Sequence, residues 1–204
     1  MPRAEQGKSA VKAGQRLVVG LSGASGVAYG IRLRESGRDL KSEAHLVMTK
    51  PAEMTIAYET KLTPKQVAAK ADHRYGINDI GAPIASGSFK TMGMVVAPCS
   101  VRSMSEIATG VTTSLLTRAA DVTLKERRPL ILMVRETPLH LGHLKTMTLL
   151  AEIGAVVAPP VPAFYAAPQS IDEMVTQSVG RMLDLFGLDT GKVKRWSGIS
   201  ADKK

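Results

Sequence analysis

The chain has 204 residues, 44% of them hydrophobic and 22% charged, which fits one globular domain and excludes collagen-like, coiled-coil and disordered chains. Twenty-seven Lys and Arg against 18 Asp and Glu give a net charge of +9, but much of the excess lies near the termini, and eight aromatics are too few for a base-stacking nucleic-acid module. One cysteine, Cys99, excludes an internal disulfide, and the longest apolar stretches, such as LILMV at 130–134, fall far short of a membrane span of ~20 residues.

In chain order, residues 1–15 carry charge without the apolar core of a secretory signal, so a solvated tail and a cytoplasmic protein are expected. Then RLVVGL at 16–21 predicts a strand ending in a glycine turn, followed by a helix from Val27 to about Ser36. HLVMT at 45–49 predicts a second strand before a helix over Ala52 to Tyr58. GMVVAP at 93–98 predicts a third, before one helix from Ser103 to Leu124. PLILMV at 129–134 leads to a helix from about Leu141 to Ile153, and AVVAPP at 155–160 to one from Ile171 to Phe186. Five strand-then-helix units predict an α/β fold of Rossmann-like or flavodoxin-like type, a single doubly wound, mostly parallel sheet with helices on both faces. The domain is expected to span 16–196, with 197–204 as a second tail.

Ligands of such a sheet bind outside the carboxyl ends of the strands. The loops expected there, GLSGASG, TKPA, PCSVRS, RETPLHLGH and PPVPAFY, are rich in hydroxyls and cations, as an anionic ligand requires. The turn Gly20 to Gly26 sits where a helix N-terminus offers free N–H groups to a phosphate, although a tight turn with Ser25 as helix cap also explains its glycines. It matches neither a P-loop nor G-x-G-x-x-G, and no carboxylate closes the second strand at Thr49-Lys50 to hold a ribose. FMN fits these loops better than NAD.

Arg118 and Lys125 are seven apart and share a helix face, which suits a phosphate or an ordinary solvated surface. Arg135-Glu136 follows a buried strand directly and so falls at the ligand edge. Glu59 is open to a role as acid or base, or to none. His140 and His143 have no third partner at metal-site spacing, so no metal is expected. Cys99 reads as a small buried residue rather than a nucleophile.

The segments VVGLSGASGVAYGIRL, SGSFKTMGMVVAPCS, LLTRAADVTLKERRPLILMVRETPLHLGHL and GAVVAPPVPAFYAAPQS resemble the UbiX-type flavin prenyltransferase family from about Arg16 to Trp196, and the block from Arg118 to His143 is the most specific. The resemblance implies a metal-independent transferase that joins the dimethylallyl group of dimethylallyl monophosphate to N5 and C6 of reduced FMN. The product, prenylated FMN, serves UbiD-type decarboxylases, in ubiquinone synthesis or in aromatic-acid decarboxylation. Implied FMN contacts are Gly23, Ala24, Ser25, Thr49, Ser100, Val101, Arg102, Ser103 and Arg135. Implied prenyl-phosphate contacts are Lys125, Tyr165 and Arg181, with Arg118 and Glu136 near the same anion. Ser25, Glu59, Lys125 and Glu136 would be catalytic.

The resemblance further implies a homo-oligomer, commonly a dodecamer, with sites between subunits. The chain departs from the pattern at Ile80, where some relatives carry a Trp near the prenyl pocket, and Trp196 is left as a candidate wall. Two rivals are an FMN-dependent cysteine decarboxylase, and a flavin-binding accessory subunit without activity. The first usually has a PASANT-type motif where this chain reads Pro98-Cys-Ser-Val-Arg-Ser103, and a histidine after the second strand where none occurs before His73.

Overall fold

A computed structural model describes residues 15–198; all but the last residue of the expected first tail and most of the second lie outside them. The elements are β1 (Arg16–Leu21), α1 (Val27–Asp39), β2 (Glu43–Met48), α2 (Lys50–Glu59), α3 (Pro64–Ala69), β3 (His73–Tyr75), β4 (Gly93–Cys99), α4 (Val101–Ala108), α5 (Leu115–Lys125), β5 (Leu130–Val134), α6 (Leu141–Glu152), β6 (Val156–Val157) and α7 (Ile171–Asp184). They form a six-stranded sheet in the order β3-β2-β1-β4-β5-β6, and every pairing is parallel. Without the short β3 the order is that of a flavodoxin-like sheet, so the expected fold class holds.

Alternation along the strands explains why they read as unbroken apolar runs. Val18, Met94, Val96, Leu130 and Leu132 face one core, packed under α4 and α5. Their neighbours Leu17, Val19, Val95, Ile131 and Met133 face a second, which takes Val175, Val179 and Leu183 of α7 and Leu33 of α1. Both faces are thus covered, as a parallel sheet requires. α1 lies close against β4: a Cβ on Gly30 would sit 2.3 Å from the Ala97 carbonyl oxygen. Among the described residues no helix is long and apolar enough to cross a membrane.

Three expectations are corrected. The helix expected from Ser103 to Leu124 is two, because Gly110 takes a positive φ of 70° and Ser114 starts a new helix through a capping box with Thr117. A sixth strand, β3, is added at the edge; its three residues pair in register with His45, Leu46 and Val47. The last strand keeps only Val156–Val157 of the expected 155–160.

Candidate active site

β1 sits between β2 and β4, and the loops leaving these three strands diverge there, opening a cleft of about 560 Å³ at their carboxyl ends. Gly23, Thr49, Ser100, Val101, Arg102, Ser103 and Glu136 line it, with Lys50, Pro51, Asn78, Glu106 and Ser114. Three helices begin at its walls. Thr49 caps α2, its hydroxyl accepting from Ala52 N at 3.2 Å. Ser100 caps α4, accepting from Ser103 N at 3.3 Å, and Ser114 caps α5. Each N-terminus brings first-turn N–H groups without intrahelical partners and about half a positive charge. With the Lys50 and Arg102 side chains beside them, the cleft suits a phosphate.

Its base is fixed by Ser22, which is fully buried. Ser22 Oγ donates to the Pro98 carbonyl at 3.0 Å and accepts from Ser100 N at 2.7 Å, tying the end of β1 to the cap of α4. The glycine turn lies flush on α2: a Cβ on Gly23 would come 2.2 Å from Pro51 Cβ. Only glycine fits there without displacing backbone.

Glu59 is the first departure from the sequence reading. Its Oε2 accepts from Gly26 N at 2.8 Å and Val27 N at 3.1 Å, so a carboxylate already occupies the α1 N-terminus that the glycine turn was expected to offer to a phosphate. The helix starts that face the cleft are those of α2, α4 and α5 instead. Glu59 closes on this turn from the far end of α2, next to the exposed Ser25.

The residues expected to hold the prenyl phosphate do not meet within one chain, and none of them lines the cleft. Arg118 donates to Asp121 at 2.7 Å and to the Ala85 carbonyl at 3.3 Å. Lys125 lies at the C-terminal end of α5, about 15 Å along the helix from the cleft, paired with Glu126 at 2.6 Å. Arg181 is in the last turn of α7, in the layer on the other face of the sheet, paired with Asp184 at 2.5 Å. Tyr165 is half exposed and meets Trp196 edge to face, with ring centroids 5.8 Å apart.

Arg135 and Glu136 are both exposed at the end of β5, where Arg135 N donates to the Cys99 carbonyl at 3.0 Å. Ile80 is exposed two residues past Asn78 of the cleft. Burial pushes the Cys99 thiol up to about 12, which leaves it inert at neutral pH. His140 caps α6, its Nδ1 accepting from Gly142 N at 3.0 Å, and stacks on His143. Sequence reasoning missed Ser22 and the Glu59 contact. The first could have been found as a hydroxyl at the carboxyl end of a central strand, whereas the second depends on tertiary placement alone.

A parallel sheet whose switch-point cleft gathers hydroxyls, cations and helix N-termini defines a nucleotide-binding protein of flavoprotein type, and the Flavoprotein family profile matches residues 6–183. The chain is 54% identical over 187 residues to flavin prenyltransferase UbiX of Escherichia coli K12, covering 90% of this chain and 99% of the relative. It is 48% identical to the mitochondrial flavin prenyltransferase PAD1 of Saccharomyces cerevisiae, across 92% of this chain and 77% of that one. In structure it matches AnUbiX, solved with FMN and dimethylallyl pyrophosphate, with a TM-score of 0.90 and 50% identity over 92% of this chain and all of that one. It also matches a dodecameric FMN-dependent UbiX-like decarboxylase from Escherichia coli O157:H7, with a TM-score of 0.87 and 44% identity over 90% of this chain and all of that one. The chain belongs to the UbiX-type flavin prenyltransferase family. The cysteine decarboxylase SpaF, 17% identical with a TM-score of 0.59, shares only its fold.

Proposed function

We propose that this chain transfers the dimethylallyl group of dimethylallyl monophosphate to N5 and C6 of reduced FMN, yielding prenylated FMN for a UbiD-type decarboxylase. The observation that carries this reading is the convergence of three helix N-termini with Lys50 and Arg102 on one cleft, in a chain 54% identical to a flavin prenyltransferase. Residues 16–196 act as one FMN-binding domain. FMN supplies the nucleophilic positions when reduced.

Gly23, Ala24, Ser25, Thr49, Ser100, Val101, Arg102, Ser103 and Arg135 hold the flavin nucleotide. The N–H groups at the cap of α4 and the Thr49 hydroxyl suit its phosphate and ribityl chain. Lys125, Tyr165 and Arg181, with Arg118, bind the prenyl phosphate and stabilise the phosphate as it leaves. Ser25, Glu59 and Glu136 handle protons. Glu59 sits hydrogen-bonded to the backbone beside Ser25, where it orients that turn as well as offering a carboxylate.

Because Lys125 and Arg181 stand in layers on opposite faces of the sheet, one complete site draws on more than one chain. A homo-oligomer follows, in keeping with the dodecameric relative, and the exposed Leu141, Leu144, Leu149 and Ile153 along α6 provide an apolar face for such contacts. We place the reaction in the cytoplasm, a reducing compartment.

The test is anaerobic incubation of the purified protein with reduced FMN and dimethylallyl monophosphate, then mass spectrometry of the released flavin. A gain of one five-carbon prenyl unit is expected. Lys125→Ala should abolish that gain and spare FMN binding. Tightly bound but unmodified flavin with the wild-type protein would instead favour an accessory flavin carrier.

A further inference from the structure

At the end of the sheet opposite the cleft, the first turn of β2 meets the edge strand β3. Glu43 and His45 are two apart on β2 and therefore project from the same face, and His73 is the register partner of His45 on β3. Their side chains converge. Glu43 Oε1 lies 2.7 Å from His73 Nε2 and 3.3 Å from His45 Nε2, and one ligand atom from each of the three residues falls within 4.8 Å of the other two. Thr49, which marks the cleft, is six residues along β2 from Glu43, or ~20 Å, so the cluster takes no part in the cleft.

The buried member is the informative one. His45 is 1% exposed, and its Nε2 is shielded from solvent without a hydrogen-bond partner, although it points at the Glu43 carboxylate. An orphaned buried nitrogen is costly unless something takes its lone pair. The other nitrogen, Nδ1, is held by the Tyr75 hydroxyl at 2.8 Å, the kind of outer partner that fixes the ring orientation and tautomer of a ligating imidazole.

We propose that Glu43, His45 and His73 form a binding site for a divalent transition metal of the zinc class, clamping the short edge strand β3 to β2. Two imidazoles and one carboxylate, with water in the fourth position, suit a borderline ion such as Zn²⁺. Calcium and magnesium prefer sites made of oxygen alone. Around an ion held at ~2.0–2.2 Å the ligand atoms stand roughly 3.3 Å apart, so the 2.7 Å contact between Glu43 and His73 must open to admit it. The half-exposed His73 can rotate to achieve this while His45 stays fixed in the core. Arg16, 3.3 Å from Glu43 Oε2, neutralises the second carboxylate oxygen and leaves Oε1 to the metal. The ion has a structural role here and enters no step of flavin chemistry.

The test uses tag-free full-length protein stripped with EDTA, titrated calorimetrically with ZnCl₂ and followed in parallel by the visible absorption of Co²⁺. One stoichiometric event with tetrahedral Co²⁺ bands is expected, and a hundredfold saturation with Zn²⁺ should raise Tm by roughly 5–10 °C. His73→Asn, at a position exposed enough to leave folding intact, should remove the event. Tyr75→Phe should weaken it by ~10–100-fold. His143→Asn should leave it unchanged, which separates this site from the His140–His143 pair. Absence of stoichiometric binding, binding that survives His73→Asn, or binding lost in His143→Asn would each overturn the assignment.

Discussion

Ser22 shows how much one hydroxyl can hold. It is the only side chain bridging the Pro98 carbonyl and the Ser100 N–H among the described hydrogen bonds, at the point where β1 and β4 part. Ser22→Ala leaves both groups buried with one fewer partner, so a loss of ~1–3 kcal/mol is expected in urea unfolding. FMN affinity should fall as well, because Ser100 caps the helix that begins in the cleft; an unchanged affinity would mean that α4 keeps its place without this tie. His45 gives a second residue-level expectation, set by pH. Burial, opposed by Glu43, holds the imidazole at about 4 in the folded chain against 6.5 for the free side chain, with His73, Arg16 and Tyr75 as the other ionisable neighbours. Between those values the unfolded chain binds a proton that the folded chain refuses. This contribution is therefore fully present above pH ~6.5 and is lost as the pH falls toward ~4, by about 3 kcal/mol at most. In EDTA, denaturation midpoints should already decline between pH 6.5 and 5, where ordinary carboxylates remain ionised. His45→Gln should flatten that limb, and an equal slope in the variant would assign the decline elsewhere.

At the scale of elements, the packing of α1 on β4 sets a sharp limit. Gly30 is the point of closest approach, and Gly30→Ala, although it raises helix propensity, drives a methyl against the Ala97 carbonyl oxygen. A net loss of ~1–3 kcal/mol in thermal or urea unfolding is expected; a gain in stability would show that α1 can lift without cost. The same elements show what a sequence can and cannot disclose. The central strands were legible because they are apolar on both faces, a pattern that follows from helices on both sides and needs no tertiary knowledge. Thr49 and Ser100 to Ser103 were legible as cleft residues because topology alone sends the carboxyl ends of strands to the ligand. β3 was not, since His73, Arg74 and Tyr75 are polar and become a strand only through register with β2. The break between α4 and α5 was signalled by Gly110 and by Ser114 three residues before Thr117, yet the apolar period on either side masks it. Glu59 could not be placed from sequence because its partners, Gly26 N and Val27 N, lie more than thirty positions away.

For the whole molecule, the separation of the cleft from Lys125 makes a prediction that a single-chain site does not share. Lys125 ends α5 about 15 Å from the capped start of that helix, while Glu136 follows β5 into the cleft. If both serve one reaction, the lysine of one protomer faces the glutamate of another. Lys125→Ala and Glu136→Ala proteins should then each be inactive alone but regain activity when their chains are mixed within one oligomer. In a random hybrid of equal parts, half the chains supply an intact lysine and half an intact cleft, so about a quarter of the sites are whole and turnover should approach ~25% of wild type. The measurement is prenylated flavin formed by co-expressed, differently tagged variants purified through both tags. Native mass spectrometry of the same sample establishes that hybrids are present. Were each active site built from a single chain, every site in the hybrid would carry one lesion and turnover would stay at background. Activity restored in verified hybrids would show that the distance between Lys125 and the cleft within one chain is bridged by assembly, and background activity in those hybrids would mean that Lys125 and Glu136 of the same chain serve one site.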